Sequence, residues 1–175
     1  MKSRFENQVS ARNSVYFCKW IVQNTTELMG ETNTPKKFQY QEILDGLKTP
    51  CPPADFEARE TLAYRWVFDT MDDPMNFVPQ YVKKPKRFTL KTDSTKCLAL
   101  GLSFFTSEEN ARLRFQKLKE TLSENVWHRL ETNVAKGTIQ ADFGVCDQPN
   151  RDGHFSFYPY DQVELKQHFN LESPL

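Results

Sequence analysis

The stretch Cys97-Leu98-Ala99-Leu100-Gly101-Leu102-Ser103-Phe104-Phe105 runs directly into Thr106-Ser107-Glu108-Glu109. The first nine residues form a nearly continuous apolar run, the pattern of a strand covered on both faces. The next four fit a capping box, a hydroxyl followed three residues later by Glu. Beyond the box, Ala111, Phe115, Leu118 and Leu122 are spaced by four, three and four. That spacing places one apolar stripe along a helix, with Arg112, Lys117 and Lys119 on its other faces. A buried strand feeding an amphipathic helix sets the class as α+β.

Toward the C-terminus, Val126, Leu130 and Val134 recur every four residues, which predicts a second helix over 125–136 with Gly137 at its C′ position. Thr138 to Val145 reads as a strand, and Asp147-Gln148-Pro149-Asn150-Arg151-Asp152-Gly153 is a turn signal. His154 to Tyr158 completes a hairpin with a long loop. Pro159 ends that strand or places it at an edge. Alternation puts His154, Ser156 and Tyr158 on one face and Phe155 and Phe157 on the other. A short further element covers Gln162 to Phe169.

Toward the N-terminus, Phe88 to Lys91 reads as a short strand. Met71 to Pro85 is irregular, but Asn76 to Tyr81 is too aromatic for a free linker and should pack on the body. Ala54 to Thr70 reads as a helix, although Tyr64 to Phe68 fits a strand equally well. Pro50, Pro52 and Pro53 break regular structure. A helix begins at Thr34-Pro35 and carries Phe38, Ile43, Leu44 and Leu47. Asn13 to Gln23 reads as a buried strand. The whole chain, 1–175, is expected to form a single domain with Pro-rich connectors near 49–53 and 74–85. Its small, mainly antiparallel sheet would pack against helices near 107–123 and 125–136.

Composition narrows the function. Fourteen Phe, six Tyr and three Trp among 175 residues supply a core and argue against global disorder. No run approaches the roughly 18 apolar residues of a membrane span, and Met1 to Ser14 has no signal-peptide pattern. The cysteines at 18, 51, 97 and 146 contain no C-x-x-C pair. No metal site is expected from that spacing, and reduced, buried thiols in a cytoplasmic protein are the expected state.

The chain is neutral, with 23 basic and 23 acidic residues, but the charge is unevenly placed. Residues 1–81 sum to −2 (9 basic, 11 acidic), 82–137 to +6 (12 and 6) and 138–175 to −4 (2 and 6). Lys83-Lys84-Pro85-Lys86-Arg87 is the densest basic run and is flanked by Tyr81 and Phe88. Tyr81, Lys83, Lys84, Lys86 and Arg87 are therefore the candidate binding residues, expected to be exposed together. They suit a non-catalytic binding or accessory protein that needs no cofactor. A protein partner is favoured over nucleic acid, because no nucleic-acid motif accompanies the run. The oligomeric state stays open. His154, with Ser156 and nearby Asp152 and Asp161, has the residue types for proton transfer, while a structural histidine on an edge strand is the simpler reading.

Two resemblances add to this. Tyr64-Arg65, then Gly101-Leu102-Ser103-Phe104-Phe105-Thr106-Ser107, then Ala111 resembles the order of residues in the ADP-ribosyltransferase fold. The resemblance implies NAD as cofactor, Arg65 and Ser103 as its ligands and Glu164 as the catalytic carboxylate. With His154 added, it gives an alternative reading as a small NAD- or nucleotide-handling enzyme whose Arg65, Ser103, His154 and Glu164 converge on one cleft. Separately, residues from about 97 to 169 resemble small uncharacterised bacterial proteins. The similarity runs through Ala135-Lys136-Gly137-Thr138-Ile139, Gly144-Val145-Cys146, Gly153-His154-Phe155 and Tyr160. It implies a bacterial origin and no catalytic residue.

Overall fold

The computed structural model describes residues 35–123 and 130–175. Among the described residues six strands form one antiparallel sheet: β1 (Thr61–Val67), β2 (Leu102–Phe105), β3 (Asn133–Ile139), β4 (Gly144–Cys146), β5 (His154–Pro159) and β6 (Phe169–Pro174). Their spatial order is β4-β5-β2-β1-β3-β6. The described residues also form four helices: α1 (Gln41–Asp45), α2 (Gln80–Lys83), α3 (Asp93–Leu100) and α4 (Glu108–Thr121). The α+β class is thus as expected, and residues Lys36–Leu175 form one compact unit. Among the described residues no helix is long and apolar enough to cross a membrane. The strand expected at Asn13 to Gln23 and the start of the helix expected at Thr34 lie outside the described residues.

Alternation along β1 explains the two layers. Ala63 and Val67 point into one core with Leu102, Phe104, Ala135, Phe155 and Phe157. Phe104 is fully buried there, with ring centroids 5.8 Å from Phe155, 6.0 Å from Phe157 and 5.4 Å from Phe169. Each such aromatic pair adds about 0.5–1.5 kcal/mol beyond its buried area. Trp66 points the other way and meets Phe105 and Phe115 beneath α4. The predicted hairpin is present as β4 and β5, but Thr138 to Val145 is not one strand: Thr138 and Ile139 end β3, and β4 starts at Gly144. Phe155 and Phe157 share the core face as alternation requires.

The helix predicted after residue 106 forms, but its cap is Ser107, whose Oγ accepts from the Asn110 N–H at 3.1 Å. Only the first half of its stripe, Ala111 and Phe115, is buried in the core.

Other expectations need correction. The apolar run 97–105 is not one strand: its first four residues finish α3, the chain turns extended at Gly101, and β2 starts at Leu102. Thr92 caps α3 by accepting from the Thr95 N–H at 3.2 Å. Cys97 and Leu100, three residues apart, then face inward while Leu98 is 55% exposed. The run served two elements in succession, so its continuity carried no single period. Ala54 to Thr70 is not a helix: Tyr64 to Val67 belongs to β1, which pairs with β3 along its whole length from Thr61–Ile139 to Val67–Asn133.

The expected second helix fails in its described part, since residues from Asn133 onward are β3; residues 124–129 lie outside the described residues. Gly137 is not a helix cap but sits inside β3, where the Phe169 ring and the His168 carbonyl occupy the space a Cβ would need. Phe88 closes a 3-10 turn, Pro85–Phe88, rather than starting a strand. Phe38 lies outside α1 and bridges to Tyr160 instead.

Cys51 and Cys97 form a disulfide across a sequence separation of 46, so these thiols are not reduced as expected, and the cytoplasmic placement loses that support. Cys146 stays free and buried. The bridge fastens the proline-rich loop to α3 beside Tyr158, whose hydroxyl donates to the Cys97 carbonyl at 2.6 Å. Leu44, Cys97, Leu100 and Tyr158 form a second buried cluster, against which Tyr81 and Val82 pack. Closing a loop of this length restricts the unfolded chain by about 2–4 kcal/mol. Adding a dithiol reductant, or the substitution Cys51→Ser, should therefore lower the unfolding free energy obtained from urea titration by about that amount.

Candidate functional site

Strand β1 pairs with β2 at Tyr64 opposite Phe105, and the pairing does not extend further. The next residue, Arg65, fills the divergence. Its side chain is buried; Nε donates to the Asn76 carbonyl at 2.7 Å and Nη1 to the Ser103 carbonyl at 2.6 Å. The guanidinium also lies 5.4 Å from the Phe104 ring centroid and 5.8 Å from that of Phe77. Asn76 is fully buried in turn. Its Oδ1 accepts from the Phe68 N–H and its Nδ2 donates to the Thr70 carbonyl, both at 2.7 Å. The end of β1, the 68–79 loop and β2 are thereby tied together. Burial lowers Arg65 to about 10, opposed by the Glu131 carboxylate, so the group remains cationic at neutral pH.

Lys83 closes the far side of this network. Its Nζ is 2.8 Å from Glu131 Oε1, with the two side chains only 6% and 10% exposed. Burial pushes Lys83 down against the pull of Glu131. Burial would push Glu131 up, but the Lys83 charge and hydrogen bond outweigh it and hold the carboxyl below its ordinary value.

Over this framework lies a cavity of about 550 Å³. Its floor is Trp66, Ser103, Phe105 and His154. Lys84 and Arg87 line one wall, Arg114 and Leu118 of α4 and Leu122 at its C-cap the other, and Asn150 and Asp152 come from the hairpin loop. The outer half of the α4 stripe therefore lines the cavity instead of the core. Five cationic side chains (Arg65, Lys83, Lys84, Arg87, Arg114) and two acids (Glu131, Asp152) face it. Glu131 is committed to Lys83, and Asp152 lies 4.0 Å from Lys117. Among the described residues, Lys84, Arg87 and Arg114 have no acidic partner.

The hairpin loop is held by Asn150, whose Oδ1 accepts from the N–H groups of Asp152 and His154 at 2.9 and 3.0 Å. Gly153 has φ 70°, and the space a Cβ would take is filled by Asn110 and Thr106 of the α4 entrance. His154 follows, opposite Phe105, with its ring edge-on to Phe105 at 5.5 Å. Burial first of all lowers its pKa; Asp147 opposes this, and the charges of Arg114 and Arg65 add to it. The imidazole is neutral at neutral pH. The Ser103 hydroxyl is exposed and has no hydrogen-bond partner among the described residues.

The candidate residues divide as follows. Arg65, Ser103 and His154 line one cavity. Glu164 is exposed ahead of the 3-10 turn Leu165–His168 and does not line it. Lys84 and Arg87 line the cavity and Lys86 is exposed outside it. Lys83 is not part of an exposed patch but is withdrawn into its ion pair, because Glu131 offers it a buried counter-charge. Tyr81 packs on Phe88 at 5.6 Å and on the disulfide side of the domain. Sequence reasoning missed Trp66, Arg114, Glu131 and Asn150 as site residues; Arg114 carried a signal in its place next to the apolar stripe, and Asn150 in its place within the 147–153 turn. Among the described residues no group of three or more His, Cys, Asp and Glu could hold a metal ion. No family model, no curated protein and no solved structure matches the chain.

Two outcomes follow from these contacts. Arg65→Met leaves the Asn76 and Ser103 carbonyls without their donor and Glu131 with less positive charge around it, and should cost about 3–5 kcal/mol in urea unfolding. For His154, the unfolded imidazole titrates near 6.5 and the folded one lower. The unfolded chain therefore takes up the proton first. The stability contributed by neutral His154 is complete above its ordinary value and is lost as the pH falls through the lower folded value. Urea midpoints at about pH 7.5 and about pH 5.5 should differ less in His154→Gln than in the unmodified protein.

Proposed function

We propose that this domain is a non-catalytic binding module whose ligand is a small anion held in the basic cavity. The observation that carries the reading is the gathering of Lys84, Arg87 and Arg114 around one cavity with no acidic partner among the described residues. Like charges brought together without counter-ions repel, and a bound anion relieves that repulsion in a concave, partly desolvated site. The volume lies within the range of about 300–1,000 Å³ typical of small-molecule sites.

The site so read keeps Lys84 and Arg87 of the basic–aromatic run at 81–87 and leaves out Lys83, held by Glu131, and Tyr81, packed on the disulfide side. Binding is favoured over transfer chemistry because Arg65 spends two of its donors on backbone carbonyls and Glu164 stands outside the cavity.

Inorganic pyrophosphate provides a direct probe by titration calorimetry at low salt. It should bind, with affinity falling as salt rises. The double substitution Lys84→Glu and Arg87→Glu should weaken it at least about tenfold while leaving the thermal midpoint nearly unchanged, since surface substitutions stay within about 0.5 kcal/mol. Lys86→Glu should have little effect. Absence of binding at low salt, or equal binding by the double variant, would overturn the reading.

A further inference from the structure

We infer that the anion is the phosphate of a ligand that also carries a flat, hydrogen-bonding ring, as a nucleoside phosphate does; this rests on the anion-binding reading above. Lys84, Arg87 and Arg114 satisfy a phosphate alone, but the floor of the cavity has a different chemistry. Trp66 and Phe105 lie 5.3 Å apart at an interplanar angle of 31°, and His154 stands 5.5 Å from Phe105. Phe105 is buried beneath α4, while Trp66 and His154, both half-buried, flank it and reach the cavity; stacking of a base on an aromatic side chain contributes about 1–3 kcal/mol.

Hydrogen-bonding groups set among these rings separate a heteroaromatic guest from an apolar chain. Ser103 Oγ, the His154 imidazole and the Asn150 amide Nδ2 line the cavity and have no partner among the described residues. Neutral imidazole offers one donor and one acceptor, the serine hydroxyl offers both, and the asparagine amide adds donors. An acyl chain laid over them would strip their water and return no hydrogen bond, a cost of about 1–3 kcal/mol for each group buried unsatisfied. A ring bearing its own donors and acceptors restores those bonds. The arginine forks of Arg87 and Arg114 suit phosphate oxygens in bidentate fashion, and Leu118, Leu122 and Leu130 offer an apolar side for the rest of the molecule.

Three probes with the same charged group test this in equilibrium dialysis: nucleoside 5′-monophosphates of each common base, glycerol 3-phosphate and dodecyl phosphate. At least one nucleoside monophosphate should bind tenfold or more tighter than glycerol 3-phosphate. Ser103→Ala and, separately, His154→Gln should erode that advantage while leaving glycerol 3-phosphate binding unchanged. Lys84→Glu with Arg87→Glu should weaken both. If every nucleoside monophosphate binds only as well as glycerol 3-phosphate, or dodecyl phosphate binds tightest, the ring is wrong and the anion site stands. If none of the phosphates binds, both readings fall. Ser103→Ala alters an exposed side chain, so its result is readable even if His154→Gln unfolds the domain.

Discussion

A buried guanidinium sits where the structure would otherwise come apart. Beyond Tyr64–Phe105 the two central strands stop pairing, and Arg65 supplies the Ser103 carbonyl with the donor that a neighbouring strand would have given. Taking a charge out of water costs several kcal/mol unless hydrogen bonds and counter-charge replace the solvent. Here two carbonyls, two aromatic faces and the nearby Glu131 do so. The divergence becomes the floor of a cavity instead of a closed sheet, and Asn76 passes the constraint on to the loop that leads to Lys83 and Lys84.

The same sheet face is covered unequally. At one end α3 and the disulfide seal Tyr158 against the 49–53 loop. At the other end α4 lies over Trp66 and Phe105. Gly101 lets the chain turn from α3 into β2 close against the Tyr158 ring, where a Cβ would be crowded. Between the two coverings Ser103 and His154 are left with polar groups facing the cavity, which turns a packing arrangement into a site. Its cations also differ from the other basic residues of the middle segment. Acidic residues of the C-terminal third reach Lys117 and Lys136, at 4.0 and 3.9 Å, and not Lys84, Arg87 or Arg114.

Features set by local pattern were legible. The stripe of α4, the turn before His154 and the two faces of β5 follow from spacing and turn chemistry within a dozen residues. Features set by distant partners were not. Tyr64 to Phe68 has the composition of either element, and its pairing with residues some 70 positions away decides for a strand. The continuous run 97–105 hid a boundary that only the Thr92 cap and the glycine at 101 mark. The Cys51–Cys97 bridge leaves no trace in spacing, because both cysteines are singletons. For the site, residue order drew attention to Arg65, Ser103 and His154, which line one cavity. The pairing of Lys83 with Glu131 across 48 residues, by contrast, is a tertiary fact and reversed the expectation of exposure.

Mapping backbone amide shifts by NMR while titrating a nucleoside monophosphate tests the central claim most directly, because it locates the ligand without assuming its identity. Occupation of the cavity predicts the largest shifts at 101–105, 150–154 and 84–87, and along α4 from Arg114 to Leu118. Shifts concentrated instead around the shallow depression at Lys136, Thr138 and His168, or no shifts at the cavity when ligand is in large excess, would contradict it.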